Sequence, residues 1–131
     1  LVQARRKIRY MEADLGGTEI FLALNAVMSQ DNPSACQQDC FLVTDGEIWE
    51  NGELDRICYE FKKRQQRVFT VGVGSAVSEK LVKQLASDTR GSSEFVAPNE
   101  NMVKKIDRHF KRIFMPSLNQ VHLDFGQEVL W

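Results

Sequence analysis

Hydrophobic residues recur along the chain with two different spacings, and the two spacings alternate. Short continuous apolar runs at 40–44 and 68–73 are typical of strands that are buried on both faces. Between them lie segments whose apolar residues are three or four positions apart, the spacing of helices that bury one side. The sequence therefore predicts an α/β domain in which buried strands alternate with helices.

Five helices are predicted from the second spacing. The first runs from Val2 to Ala13 and is rich in basic residues, and the second begins with Thr18 as its N-cap and runs to about Gln30. Ser78 is the expected N-cap of the fourth helix, which we expect to end at or shortly before Gly91. The apolar faces expected to enter the core are Ile20, Leu24, Val27 and Met28; Leu54, Ile57, Cys58 and Phe61; Leu81, Val82, Leu85 and Ala86; and Met102, Val103, Ile106, Phe110 and Ile113.

Four strands are predicted, at 40–44, 68–73, 94–97 and 121–125. Nearly continuous apolar strands joined by helices indicate a mostly parallel, doubly wound sheet with helices on both faces. Ligands of such sheets bind where the carboxyl ends of the strands meet the loops. Asp45, Gly72 and Gly74 follow strands, and Thr18 opens a helix, so we expect their loops to share one edge of the sheet.

Composition and charge narrow the function. The 131 residues are enough for one domain with a core, and 43% hydrophobic with 27% charged residues is a globular composition. With 17 Lys and Arg against 18 Asp and Glu, the chain has no net positive field for nucleic acid, and no apolar run is long enough for a membrane span. The composition indicates no cellular compartment.

Nothing in the sequence indicates catalysis. There is no Gly-x-Ser-x-Gly nucleophile motif, and His109 and His122 have no Cys, His or Asp neighbours at metal-ligand spacing. We expect Cys40 and Cys58 to pack as small apolar residues. Asp45 and Glu47 could serve as an acid and a base only beside a substrate pocket, which the sequence does not show. We therefore predict that the protein is not an enzyme.

Three stretches resemble von Willebrand factor type A domains: "LGGTEI" (15–20), "FLVTDGE" (41–47) and "VFTVGVG" (68–74). Two more, "LASDTRGSSEFV" (85–96) and "MPSLNQVHLDFG" (115–126), resemble the A domains of inter-alpha-trypsin inhibitor heavy chains and their bacterial relatives, which carry a VIT domain ahead of the A domain. The resemblance covers nearly the whole sequence. It implies a Rossmann-like, von Willebrand A-like domain over 1–116, followed by a C-terminal strand or extension over 117–131.

The resemblance also implies a metal-ion-dependent adhesion site. In the family, an Asp-x-Ser-x-Ser loop, a threonine after two glycines and an aspartate before a glycine hold Mg²⁺ or Mn²⁺, which then binds an acidic group of a protein ligand. Thr18 and Asp45 match the threonine and the aspartate. The Asp-x-Ser-x-Ser motif is absent from this sequence. We expect that the chain begins after the motif, lacks the family's first strands and holds no tightly bound ion.

Two functions remain open from the sequence. The first is an adhesion-type protein-interaction module with an incomplete metal site, and the second is a structural or assembly segment of a larger protein with a vestigial site. Without the family's first strand, strand 40–44 would lie at an edge of the sheet, where two copies of the chain could pair as a homodimer. Asp45 and Gly46 also suit a simple turn, and Thr18 also suits a simple helix cap.

Overall fold

The computed structural model describes residues 2–12, 19–30, 38–46 and 52–116, together with His122, Leu123 and Gly126. Within these ranges it confirms an α/β fold in which helices flank a parallel sheet. No described helix has the length and apolar character needed to cross a membrane. The elements are α1 (Val2–Arg9), α2 (Ile20–Met28), β1 (Cys40–Thr44), α3 (Glu53–Lys63), β2 (Val68–Val73), α4 (Glu79–Asp88), β3 (Ser93–Val96) and α5 (Met102–Ile113).

The three strands form one parallel sheet in the order β1-β2-β3. Strands β1 and β2 have the bounds that their apolar runs predict, and β3 begins and ends one residue earlier than predicted. Most of the predicted strand 121–125 lies outside the described residues, so that element stays a prediction, as does the boundary between 1–116 and 117–131.

Most of the core lies between the sheet and helices α2, α3 and α4. Alternate residues of β2 face this side: Val68 packs into the cluster, and the buried hydroxyl of Thr70 donates a hydrogen bond to the Val82 carbonyl at 2.7 Å. The intervening residue Phe69 faces the other side, where it meets α5. Helices therefore cover both faces of the sheet, as predicted. The cluster consists of Ile20, Leu24, Met28, Ile57, Cys58, Phe61, Val68, Leu81, Val82 and Leu85.

Two predicted helix bounds are wrong. Helix α1 ends at Arg9, because the amides of Tyr10 and Met11 turn back to the carbonyls three residues earlier instead of continuing the α-helical ladder. The N-cap of α2 is Glu19, whose side chain makes no capping hydrogen bond, rather than the predicted Thr18. Helix α2 begins at Ile20, whose side chain is already buried in the core. Thr18 lies outside the described residues.

The predicted inner face of α5 is wrong in part: Met102 and Val103, which we expected in the core, are 43% and 77% exposed. The one buried side chain of this helix is His109, whereas Phe110 is 45% exposed and Ile106 and Ile113 are half-buried. The His109 ring lies against the sheet, 5.8 Å from the Phe41 ring and 6.1 Å from the Phe69 ring. The helix is thus rotated so that the His109 imidazole is fully buried against the sheet, whereas the Phe110 ring meets Phe41 edge-on, at 5.5 Å, from a partly exposed position.

Helix α4 has the predicted cap and inner face. Ser78 accepts a hydrogen bond from the Leu81 amide at 3.4 Å, and the buried residues are Leu81, Val82, Leu85 and Ala86. At its other end, buried Thr89 accepts a hydrogen bond from the Val68 amide at 3.0 Å and donates one to the Leu85 carbonyl at 2.7 Å. The carboxyl end of α4 is therefore fixed directly to the start of β2.

Gly91 permits the close approach between this helix end and β2. The residue with positive φ is Arg90, at 61°, so Gly91 is not required for the helix to turn. Instead, any side chain in place of the Gly91 hydrogen would overlap the backbone carbonyl of Val68. Glycine is needed here because two backbone segments touch.

We predict that Gly91→Ala destabilises the fold by about 3 kcal/mol, the upper end of the range for overpacking, because the contact is backbone against backbone. The matched control is Gly74→Ala. Gly74 has φ of 87° but open space around it, so its substitution should cost only the left-handed backbone penalty of about 1–2 kcal/mol. Urea unfolding of both variants measures the difference, and equal losses would contradict the packing explanation.

Candidate functional site

Asp45 lies at the carboxyl edge of the sheet, immediately after β1. The register pairs Thr44 with Gly72, and Gly72 with Phe95, so the three parallel strands end at the same level. The Asp45 side chain is exposed. The prediction of one shared edge is confirmed for Asp45, Gly72 and Gly74, whereas Thr18, its fourth member, lies outside the described residues.

The loop that carries Asp45 is fixed by the residues around it. The Thr44 hydroxyl is buried and accepts a hydrogen bond from the Gly46 amide at 3.3 Å. The Gly46 carbonyl in turn accepts a hydrogen bond from the Ser78 amide at 3.5 Å, and Ser78 is the N-cap of α4. The loop after β1 therefore lies beside the N-terminus of α4, whose partial positive charge favours an anionic neighbour.

The glycines of this edge shape the backbone. A Cβ atom at Gly72 would come within 3.0 Å of the Phe95 ring and 3.1 Å of the Val77 side chain, so no larger residue fits without movement. Gly74 ends β2 with positive φ, and its amide donates to the Val96 carbonyl at 2.9 Å. Packing and turning explain both positions, and neither requires a nucleotide ligand.

The Asp45 carboxylate makes no hydrogen bond or ion pair with another described residue. By contrast, Asp39 pairs with Arg67, Asp55 accepts a hydrogen bond from Gln84, and Asp107 pairs with Lys111. Of these four aspartates, Asp45 is the one whose carboxylate has no partner within the part of the chain that the structure describes. It is exposed, and its loop lies beside the N-terminus of α4.

Only part of the predicted metal site falls within the described residues. Exposed carboxylate and hydroxyl oxygens are the donor type that Mg²⁺ and Mn²⁺ prefer. However, no group of three or more His, Cys, Asp or Glu side chains among the described residues could hold an ion. Thr18 and Glu47 lie outside those residues, so the predicted meeting of Thr18 with Asp45 stays a prediction. The oxygen donors are of the type that a hard cation prefers, but the described residues provide too few of them to hold one.

The described cysteines do not provide a nucleophile. Burial, with Asp88 and Asp55 nearby, raises the pKa of the Cys58 thiol to about 12, and burial also raises the pKa of Cys40. Both are free thiols, Cys58 buried and Cys40 half-buried, as expected for small apolar residues. Cys36 lies outside the described residues.

A pocket of about 190 Å³ lies at the amino end of β1, the end opposite Asp45. Its polar side chains are three glutamines and Asp39, which is already paired with Arg67. None of these four side chains can act as a general base, because a glutamine amide is not basic and the Asp39 carboxylate is paired with Arg67. The pocket is lined by Val27, Gln30, Gln38, Asp39, Cys40, Phe61 and Gln66.

The sequence does not point to the supports of the Asp45 loop. The apolar run predicts Thr44 only as the last residue of a strand, although a threonine at a strand end is a recognisable signal for a hydroxyl that caps the following loop. The bond between Gly46 and Ser78 joins residues far apart in sequence, and no local pattern could have shown it.

Comparisons with known proteins agree with this geometry. Residues 1–95 match the family described as the von Willebrand factor type A domain. The human von Willebrand factor A domain-containing protein 5A is 29% identical over 123 residues, which make up 94% of this chain, but 16% of that protein. A von Willebrand factor A domain-containing protein of Dictyostelium discoideum is 32% identical over 120 residues, 91% of this chain, but 13% of its own length.

A solved structure shares the fold. The conserved hypothetical protein BatB from Bacteroides thetaiotaomicron superimposes with a TM-score of 0.66 at 20% identity, covering 68% of its own length and 86% of this chain. The curated relatives are much longer than the region matched here. Domains of this family are in general protein-interaction modules and not enzymes. The match over residues 1–95, together with the parallel sheet flanked by helices, shows that the chain belongs to the von Willebrand factor type A domain family.

Proposed function

We propose that this chain is a non-enzymatic, adhesion-type interaction module that binds a protein ligand at the carboxyl edge of its sheet. The observation that carries the proposal is Asp45: its carboxylate is exposed and unpaired among the described residues, on a loop fixed by Thr44 and by the N-terminus of α4. An exposed carboxylate on a fixed loop, unpaired within the described ranges, is suited to a ligand. Within the family, we place the protein nearest to the VIT-associated A domains and to those of inter-alpha-trypsin inhibitor heavy chains.

In this proposal Asp45 and Thr18 would hold Mg²⁺ or Mn²⁺, and the ion would accept an acidic group of the partner. A divalent ion supplies the positive charge that an acidic partner needs at a carboxylate-bearing edge. One carboxylate and one hydroxyl are few ligands for a cation that loses its waters reluctantly. We therefore propose weak binding to this chain, and tighter binding where a longer chain provides further oxygen donors.

We predict that Mn²⁺ binds at Asp45 with a dissociation constant no tighter than about 1 mM, the weak end for sites built from oxygen ligands. Paramagnetic broadening of backbone amide signals measures this. The first signals to broaden should be those of Asp45 and Gly46, and Asp45→Asn should remove the effect. Thr18→Ala should weaken it if the threonine is a ligand.

The matched control is Asp107→Asn, since Asp107 is an exposed aspartate of α5 that pairs with Lys111 at 2.7 Å. It should leave the broadening unchanged. Asp45→Asn should also leave the free energy of unfolding within about 0.5 kcal/mol, as for other exposed sites. Broadening that survives Asp45→Asn, or that centres on other acids, would rule out Asp45 as the ion ligand.

The second candidate is a structural or assembly segment with a vestigial site, and one observation favours it. Strand β1 pairs only with β2 among the described strands, so its other edge offers unpaired backbone groups. Val43, in the middle of the apolar run, is 49% exposed on this strand. An uncovered apolar edge strand is a template for pairing with another chain, and the simplest partner is a second copy.

We predict on this second proposal that the chain forms a homodimer as its concentration rises and that Val43→Lys keeps it monomeric, because a charge on an edge strand opposes strand pairing. Sedimentation over a range of concentrations gives the mass. The control is Tyr59→Lys, at a site on α3 that is 63% exposed, and it should still dimerise. A monomer at every concentration would exclude the homodimer without bearing on the Asp45 site.

A further inference from the structure

His109 is buried without a hydrogen-bonding partner. Its side chain is fully inaccessible to solvent, and neither ring nitrogen lies in hydrogen-bonding geometry with a described residue, although the backbone of Ser92 is close enough to favour its charged form slightly. A buried polar ring without hydrogen bonds is costly, and a buried charged ring is far more so. The position therefore favours the neutral imidazole.

The neighbours of His109 reinforce that preference. The rings of Phe41 on β1 and Phe69 on β2 contact it, with centroids 5.8 Å and 6.1 Å away. Burial lowers the pKa of His109 below its ordinary value, and the guanidinium groups of Arg112 and Arg108 on α5 lower it further.

The charged side chains that β3 and the residue before β2 place near the His109 ring already form ion pairs with other residues. Glu94 on β3 raises the His109 pKa, but its carboxylate pairs with Arg108 at 3.0 Å and lies 3.8 Å from Lys105. Arg67, which lies over the Phe69 ring, is paired with Asp39. Strand β1 contributes only the apolar Phe41 to this contact. The acid that favours a proton on His109, Glu94, is therefore already paired with basic side chains.

Helix α5 depends strongly on this one residue for its burial. Its one buried side chain is His109, whereas α4 buries four side chains. Apart from His109, the partly exposed Phe110 ring packs edge-on against Phe41 at 5.5 Å. Other contacts of α5 are polar: Lys105 donates to the Phe95 carbonyl at 2.6 Å, and Arg67 donates to the Ile113 carbonyl at 2.9 Å. Such partly exposed polar contacts stabilise a helix much less than apolar burial does.

We propose that His109 makes the docking of α5 proton-sensitive: the helix lies on the sheet while the imidazole is neutral and is released when the imidazole takes up a proton. Release exposes the rings of Phe41 and Phe69 on the face that α5 covers. The function is a conformational switch, separate from the Asp45 edge and independent of whether that edge binds a metal.

The sign of the pH dependence follows from the pKa of His109. The ordinary pKa is 6.5, and docking lowers it. Above 6.5 both forms of the helix carry a neutral ring, and docking has its full stability. As the pH falls from 6.5 towards the lowered pKa, the released form takes up the proton first, and the docking equilibrium falls by up to about tenfold for each pH unit.

The experiment is amide hydrogen exchange of the 131-residue chain between about pH 8 and pH 5, the range in which an unperturbed histidine titrates and carboxylates do not. Protection factors, corrected for the intrinsic pH dependence of exchange, should fall in Met102–Ile113 and remain constant in β2. Equal loss of protection in β2 and α5 would show global acid unfolding and overturn the switch.

The two histidines of the sequence give a matched pair of variants. His109→Phe should make α5 protection independent of pH, while His122→Phe, at an exposed site, should leave the pH dependence intact. If His109→Phe does not fold, ring-proton titration of the unmodified chain decides the question. A His109 ring that titrates at its ordinary pKa while α5 stays protected would overturn the proposal.

Discussion

The start of strand β2 is the junction on which the rest of the structure depends. At Val68 the side chain enters the core, the amide is held by Thr89, and the carbonyl lies so close to Gly91 that no larger residue fits there. One residue earlier, Arg67 forms two hydrogen bonds to Asp39, at 3.0 and 2.5 Å, and reaches two carbonyls at the end of α5. The hydrogen bonds to Asp39 raise the already high pKa of Arg67, so the guanidinium stays charged. The two faces of the sheet are thus tied to one short stretch of backbone.

That junction determines where the functional edge lies. Once the amino ends of β1 and β2 are fixed, the parallel register brings both strands to a common level at Thr44 and Gly72. The Gly46 amide and carbonyl each form a hydrogen bond that holds the loop, and the Asp45 carboxylate bonds to no described residue. This separation is what allows Asp45 to be judged as a ligand-binding residue. An aspartate needed for a cap or an ion pair would be explained by the fold alone.

The sequence predicts the elements that a clear apolar pattern defines. It fails where burial depends on how a helix is rotated about its own axis. The bounds of strands β1 and β2 and the inner face of α4 follow the apolar pattern, because a continuous apolar run or a helical repeat of large apolar residues defines each of them. In α5 the pattern favours Phe110 as the inward residue, yet the rings of Phe41 and Phe69 accept the smaller His109 and leave Phe110 at the side of Phe41. Gly91 looks like a helix stop and is a backbone contact, which sequence spacing cannot distinguish. For the site, Asp45 was predictable from its place after a buried strand, whereas its supports were not.

The proton switch and the homodimer would be linked through Phe41. Side chains two positions apart on a strand point to the same face, so Phe41 and Val43 lie together on the face that α5 only partly covers. Release of α5 would uncover the Phe41 ring beside Val43, which is already exposed. The apolar surface next to the unpaired edge of β1 would then be larger. Any association that buries this surface would bind the released form better and would pull the docking equilibrium towards release, since a ligand shifts a two-state equilibrium by its differential affinity. Acid conditions and self-association would then reinforce each other, whereas binding at Asp45, at the carboxyl edge, would be independent of both.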